Sequence, residues 1–372
     1  MIENGNIVLD GVNCIFMLSD IHYGFKSDRR NEEKYVEWME NMNGYFHNFF
    51  IPAVKKYKTI GYKPILIIAG DFFDVKKFIL AEVMNSALDL ISELCDILPI
   101  YFIVGNHETS YTDNNRANHL RIFDNMDNVH VIKDTCKLKI CGNTFELISW
   151  IENSVEQTKL IKASTADYLI LHADINGLIY PSKIKIADKV ETKGFKGTHI
   201  YSGHIHKRQE KGKVTYLGSP YEMDWSDSGN IKGIYVLKFS TFDDGHYEAS
   251  EDFIENIYSP RFIKCDAEEL KGLQEKGNDI SEILRGNYIS VDYKSADAPK
   301  YAEFLNSLND VGTKGLEFNS IAEEVKIDEE TSEVIKSLTI DDAVYECIDA
   351  MDLKDDEKEF LKEKHKAYTE TL

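Results

Sequence analysis

Pro64-Ile65-Leu66-Ile67-Ile68-Ala69-Gly70-Asp71-Phe72-Phe73-Asp74 reads as a strand that stops on a glycine and delivers a carboxylate. An apolar run without polar alternation belongs to a strand covered on both faces, and the glycine permits the turn that ends it. The same order recurs along the chain. Strand Asn13–Asp20 leads into Asp20-Ile21-His22, Pro99–His107 carries Gly105-Asn106-His107-Glu108, Asp167–His172 ends on His172, and Thr198–His204 runs into Gly203-His204-Ile205-His206. Further strands are predicted at Phe145–Ser149, Val214–Leu217 and Gly233–Phe239, with helices over Asn31–Lys58 and Phe78–Cys95. Strands alternating with amphipathic stretches predict an α/β domain over residues 1–250.

The chain has 372 residues, 43% of them hydrophobic, which excludes disorder and suggests two domains with a short appendage. Its six cysteines show no paired metal-type spacing, and no secretory apolar region is legible at the N-terminus. No apolar run approaches the ~20 residues that span a bilayer. The expected setting is therefore a reducing cytoplasm, with no membrane attachment. A net charge of −21 argues against a passive polyanion binder held by basic patches alone. The acid is uneven: residues 251–372 hold 15 basic and 31 acidic side chains, residues 1–250 hold 28 and 33.

The polar run Thr241–Ser259 and the pair Ser259-Pro260 predict a domain break. A smaller α+β unit is expected over residues 260–325, with strands near Tyr288–Tyr293 and Gly315–Phe318 and a helix near Pro299–Leu308. An acidic linker, Asp328–Glu333, then leads to two amphipathic helices over residues 339–372. Ile340, Val344, Ile348 and Met351 mark the first, and Phe360, Leu361, Ala367 and Tyr368 the second. These helices either fold back on the chain or dock on a partner protein.

Five signatures thus fall at the carboxyl ends of strands, the edge where loops can aim polar groups into one crevice. Singly each is weak, and His172 alone would be read as structural. Together they assemble carboxylates, a carboxamide and imidazoles, a mixed donor set suited to two divalent first-row cations. Such cations lie ~3.5–4 Å apart and need a bridging ligand, for which a two-oxygen carboxylate serves. Asp71 is the candidate bridge. The chemistry expected is attack of an activated water on a phosphate ester. His107, next to Asn106, is expected to point across the site and protonate the leaving oxygen, or else merely to orient a ligand.

The set Asp20-x-His22, Gly70-Asp71-x-x-Asp74, Gly105-Asn106-His107-Glu108, His172 and Gly203-His204-x-His206 resembles the calcineurin-like metallophosphoesterases. Within them it looks most like the SbcD-type nuclease subunits of DNA double-strand-break repair complexes and their phage recombination relatives. Gly218-Ser219-Pro220 and the stretch from Trp225 to Gly233 are similar to this branch in particular. The resemblance implies a two-sheet sandwich flanked by helices, a capping domain over residues 260–325 that helps position DNA, and a C-terminal helix-loop-helix over residues 339–372. It implies two manganese ions, with magnesium possible. One would be held by Asp20, His22, Asp71 and His206, the other by Asp71, Asn106, His172 and His204, with His107 as the catalytic histidine. It further implies 3′-to-5′ exonuclease and single-strand endonuclease activity, a homodimer within a heterotetramer, and a tail that binds an SbcC-like coiled-coil ATPase.

Members vary at the position of Asp74, and Glu108 stands where Asp is frequent. Two rival readings are another enzyme of the superfamily, a phosphatase or nucleotide phosphodiesterase, and an inactive scaffold for an ATPase. His119, His130, His199, His246 and His365 match no ligand position. Phe25, Tyr221 and Trp225 are expected in the core before any base-stacking role. Lys207-Arg208 reads equally as a phosphate contact or a solvated turn. Trp38, Met39, Met42 and Phe46 are either a dimer interface or core.

Overall fold

A computed structural model describes residues 2–3, 6–25, 32–76, 78–109, 118–180, 183–242 and 247–321, with short helical stretches at 344–345, 348–349, 358–362 and 364–365. Two large sheets form the body. One has six strands in the order Tyr247–Glu255, Gly233–Thr241, Cys14–Leu18, Pro64–Ala69, Ile100–Ile103 and Val129–Ile132. The other has eight, in the order Ile2–Glu3, Asn6–Val8, Thr135–Ile140, Asn143–Ile148, Tyr168–His172, His199–Gly203, Val214–Tyr216 and Gln209–Lys211.

Side chains alternate across a strand, and the central strands use both faces. Ile15, Met17, Ile65 and Ile67 meet Leu138, Phe145, Leu147 and Ile170 between the sheets. Phe16, Leu18, Leu66 and Ile68 point the other way, into a core shared with the helices. On the far side of the second sheet Leu169, Leu171 and Ile200 pack with Ile161 of the helix Ser154–Ala163. Both faces are dry, so these strands read as unbroken apolar runs.

The helix Ala81–Ile97 buries Val83, Ala87, Leu90, Ile91 and Leu94, one stripe at helical spacing. The helical stretch expected from Asn31 to Lys58 is seen as Glu32–Tyr45, a π-helical turn Phe46–Phe50, and Ile51–Thr59. Trp38, Met39, Met42 and Phe46 lie buried in this chain's own core, so they are not available as a dimer interface. Tyr221 is buried with its hydroxyl donating to the Ile21 carbonyl at 2.6 Å, Trp225 packs edge-on to Phe262, and Phe25 edge-on to Trp38. These aromatic groups are packing.

The polar run expected as a break is instead largely a strand. Tyr247–Glu255 pairs antiparallel with Gly233–Thr241 over nine residue pairs. It lies at the sheet's edge with most side chains exposed, where apolar alternation is not required. The hairpin joining Thr135–Ile140 to Asn143–Ile148 also carried no strong signal. Its two-residue turn, Cys141-Gly142, has positive φ at both positions (47° and 77°), as the tightest hairpins need.

A third sheet has the order Phe262–Asp266, Tyr288–Lys294, Gly315–Ile321. Its strands and the helix Ala298–Ser307 enclose a separate apolar cluster around Leu270, Leu284, Ile289, Val291 and Phe304. Trp38 stacks on Phe262 and Tyr288 at ring-centroid distances of 6.2 and 5.7 Å, and Tyr288 and Lys314 both reach Glu37. By compactness the chain divides into Met1–Tyr293 with Tyr301–Asn319, and Lys294–Lys300 with Ser320–Leu372. In the second unit Lys362 pairs with Asp349 at 2.7 Å. The acidic linker, and most of the two expected tail helices, lie outside the described residues.

Candidate metal centre

The strands Cys14–Leu18, Pro64–Ala69 and Ile100–Ile103 are parallel neighbours in one sheet, and Tyr168–His172 and His199–Gly203 are parallel neighbours in the other. Their carboxyl ends face one another. The chain turns sharply at each: Asp20, His22, Asp71 and His204 all have positive φ, at 52°, 49°, 52° and 94°. Such backbone costs of order 1–3 kcal/mol per residue and clusters at sites where the strain positions a functional side chain. Gly70 has φ of 89°, and a Cβ there would strike the His172 ring; one on Gly105 would strike the Asp71 carboxylate. The loops approach too closely for any side chain at either position.

Three groups of side chains have donor atoms within 4.8 Å of one another: Asp20, His22 and His206; His22, Asp71 and His107; and Asp71, His172 and His204. Asp71 and His22 link them. One oxygen, Asp71 Oδ2, lies 3.3 Å from His172 Nε2, 3.9 Å from His22 Nε2 and 4.0 Å from His107 Nε2. Asn106 ends 2.9 Å from His172 Nε2 and 2.8 Å from His204 Nδ1. Turned about its last bond, its amide nitrogen would face both rings and its oxygen Lys76 at 3.3 Å, whereas a cation among the three requires the oxygen inward.

The outer nitrogens of these rings decide what the inner ones can do. His22 Nδ1 is 3.1 Å from Asp74 Oδ1, His172 Nδ1 2.8 Å from the Ala69 carbonyl, and His204 Nε2 3.2 Å from Asp174 Oδ1. Each acceptor holds a proton on the outer nitrogen and leaves a lone pair aimed inward. His206 Nε2 then stands 3.0 Å from His22 Nε2, and His204 Nδ1 stands 3.2 Å from His172 Nε2. Paired lone pairs at that separation repel unless a proton or a cation lies between them. With two carboxylates and a carboxamide alongside, the donor set fits two divalent cations.

The electrostatics show the same competition. Burial opposes charge on His172, but the Asp71 carboxylate beside it prevails and raises its pKa to about 9. Burial likewise opposes charge on Asp71, and the imidazoles of His172, His22 and His107 hold it far below the usual carboxylate range. His206 is pushed down by burial despite Asp20. A bound cation would take the place of the protons shared here.

His107 sits apart from its neighbour Asn106. Its Nδ1 contacts the Asp74 carbonyl, its backbone N–H donates to Asp71 Oδ1 at 2.9 Å, and its ring meets that of His22 edge-on at 4.6 Å. Burial lowers its pKa, with Asp71 opposing. Asp74 therefore serves two imidazoles at once, one through its carboxylate and one through its backbone. Glu108 is wholly buried and accepts from the backbone N–H of Asp71, Phe73 and Gly105 at 3.0, 2.9 and 2.8 Å. Burial, then Asp71, raises its pKa to about 7. It clamps two of the site loops together, which explains a longer acid at this position.

Three contributors carried no sequence signal of their own. Asp174 orients His204, and only its place two residues after His172 hinted at this. Trp150 walls the site, its ring 5.0 Å from that of His204 and 5.9 Å from that of His172. Lys232, buried, donates to the His206 carbonyl at 2.7 Å, to Ser219 at 2.8 Å and to Asp227 at 2.6 Å, fixing the backbone behind His206. His130 stacks on Tyr101, His199 meets Thr215, and Phe73 lies against His119, all apart from the cluster; His246 lies outside the described residues. Arg208 donates to Tyr235 and Glu210 and covers the Phe253 ring at 4.5 Å, so its guanidinium is already engaged.

Among the described residues no helix is long and apolar enough to cross a membrane. Residues 15–208, more than half the chain, match the family model for the calcineurin-like phosphoesterases, and every residue of the cluster falls inside that span. The chain is 27% identical over 235 residues to "Exonuclease subunit 1" of Enterobacteria phage T4, an alignment covering 61% of this chain and 65% of that protein, less than two thirds of its length. It is 24% identical over 240 residues to "Putative phosphoesterase 244L" of Invertebrate iridescent virus 6, covering 60% of this chain and 82% of that one. A solved 5′-nucleotidase precursor from Thermus thermophilus is similar at a TM-score of 0.33 and 11% identity, over 67% of this chain and 56% of the other. With the family model spanning all the strand ends that build the site, the chain belongs to the calcineurin-like phosphoesterases.

Proposed function

We propose that this chain is the manganese-dependent nuclease subunit of a two-component DNA-processing complex, hydrolysing phosphodiesters as a 3′-to-5′ exonuclease and single-strand endonuclease. The observation that carries the reading is the shared Asp71 oxygen, with imidazole lone pairs turned toward it by acceptors behind them. Asp20, His22, Asp71 and His206 would hold one cation, and Asp71, Asn106, His172 and His204 the other. When bound, the pair supplies Lewis-acid activation of water and neutralises phosphate charge. The choice of DNA over other phosphate esters draws on the likeness to the phage T4 protein named as an exonuclease subunit; polarity draws on the resemblance to SbcD-type nucleases.

His107 is the proton donor to the leaving oxygen. The Asp74 carbonyl fixes its ring so that Nε2 faces the Asp71 carboxylate. Burial disfavours charge on the ring, and an anionic phosphodiester arriving beside it favours the protonated form that can donate. Trp150 packs its ring against those of His172 and His204 on that side of the site. Residues 260–325 are assigned to positioning DNA and residues 339–372 to holding a coiled-coil ATPase, in an assembly built on a pair of nuclease subunits.

A comparison of manganese with magnesium on single-stranded DNA, duplex DNA and a generic phosphomonoester tests the reading. Manganese-stimulated cleavage of DNA with little phosphomonoester turnover is expected. Preferential hydrolysis of the phosphomonoester would make the chain a phosphatase, and no hydrolysis of either substrate would favour the scaffold.

A further inference from the structure

Residues 183–213 run against the charge of the whole molecule. In a chain of net −21, this window holds nine Lys and Arg against three Asp and Glu. Lys183, Lys185, Lys189, Lys193, Lys196, Lys207, Lys211 and Lys213 are all exposed. The fold brings several of them to one sheet edge. Gln209–Lys211 is the edge strand of the eight-stranded sheet, beside Val214–Tyr216. Lys211 donates to the Gly177 carbonyl at 2.9 Å, Gln209 binds Ile179, and Ile179 bridges to Lys185, which ties the excursion before residue 196 to that edge. Lys193, Lys211 and Lys213 line one open recess of about 300 Å³. The helix Ser154–Ala163 adjoins it, its Thr158 accepting from the Glu191 N–H at 3.0 Å.

The strip begins at the metal centre. Lys189 Nζ is 3.8 Å from Asp174 Oδ2, and the other oxygen of that carboxylate orients His204. Lys207 directly follows His206. A small phosphate ester needs only the site itself. A polynucleotide held by one phosphodiester must carry its neighbouring phosphates over the adjoining surface, and exposed lysines there release counterions on contact.

We infer that this lysine strip, from Lys189 through Lys183, Lys185 and Lys193 to the Gln209–Lys211 edge, is the track that binds the backbone of the nucleic-acid strand whose phosphodiester occupies the metal centre. The inference rests on the nuclease reading above. It places substrate contacts on the metallophosphoesterase body itself, on the side of His204, without calling on the acidic C-terminal part.

The test uses the full chain in chelator, with labelled single-stranded and duplex oligonucleotides titrated across a salt series. Neutralising Lys183, Lys185 and Lys193 together (each Lys→Gln) should weaken oligonucleotide binding about tenfold at low salt. It should also flatten the slope of log affinity against log salt by about 2, since each phosphate contact on a single strand adds about 0.7. Neutralising Lys55, Lys56 and Lys63, exposed residues elsewhere on the body, alters net charge equally and should leave both quantities near wild type. Equal losses in the two triple variants would overturn the track and leave the nuclease reading standing. Loss of polyglutamate binding with oligonucleotide binding intact would reassign the strip to an acidic protein partner. A wild-type chain that neither binds nor, with manganese, cleaves oligonucleotides while hydrolysing a phosphomonoester would remove the nuclease reading itself.

Discussion

His107 and Asp174 show how adjacent carboxyl and imidazole groups divide labour at this centre. His107 touches Asp71 only through its backbone and a 4.0 Å approach, so its removal should spare the cations while removing the proposed proton donor. His107→Ala is expected to lose about 10²–10⁴-fold in kcat with manganese stoichiometry unchanged by calorimetry; near-wild-type turnover would take His107 out of the mechanism. Asp174 acts one step further out. Asp174→Asn frees His204 to change which nitrogen carries its proton, and manganese affinity should fall about 10–100-fold at one of the two sites. Titrations in which both sites fill as in wild type would show that Asp174 is dispensable for orienting His204. Legibility at this scale followed chemical type. The candidate ligands stood out because glycines and strand ends frame them, whereas Asp174, Trp150 and Lys232 are defined by what they touch on segments remote in the chain.

Secondary structure followed a similar division. Strands covered on both faces, such as Pro64–Ala69, were plain from composition, because burial on two sides leaves no room for polar residues. Tyr247–Glu255 read as a polar break because an edge strand takes its order from its neighbour. The helix Glu32–Tyr45 was evident as a helix, but not which surface its aromatic face would meet. Trp38 packs under Phe262 and Tyr288 of the third sheet. Trp38→Ala should therefore cost about 3–5 kcal/mol and lower the midpoint of thermal unfolding. An unchanged midpoint would mean that the stacked aromatic groups contribute little to stability.

At the scale of the molecule, charge separates the surfaces. Acid is concentrated in residues 251–372, and the lysine strip beside His204 offers nucleic acid a basic place on the body, in addition to the unit assigned to positioning DNA. Deleting residues 339–372 should abolish co-purification with a coiled-coil ATPase while manganese-dependent cleavage of short single strands persists. Undiminished co-purification would return that segment to the chain's own architecture.

Sequence by itself determined the family, the alternation of strand and helix, and the candidate donor residues, because each is written in local chemistry: apolar runs, turn-permitting glycines, and donor atoms at strand ends. Tertiary structure alone decided which imidazole nitrogen faces inward, that Glu108 clamps two loops, that Trp38 and its neighbours are core, and that Lys193, Lys211 and Lys213 meet at one recess. Those properties depend on groups distant in the chain meeting at hydrogen-bond or van der Waals range, and the fold sets those distances.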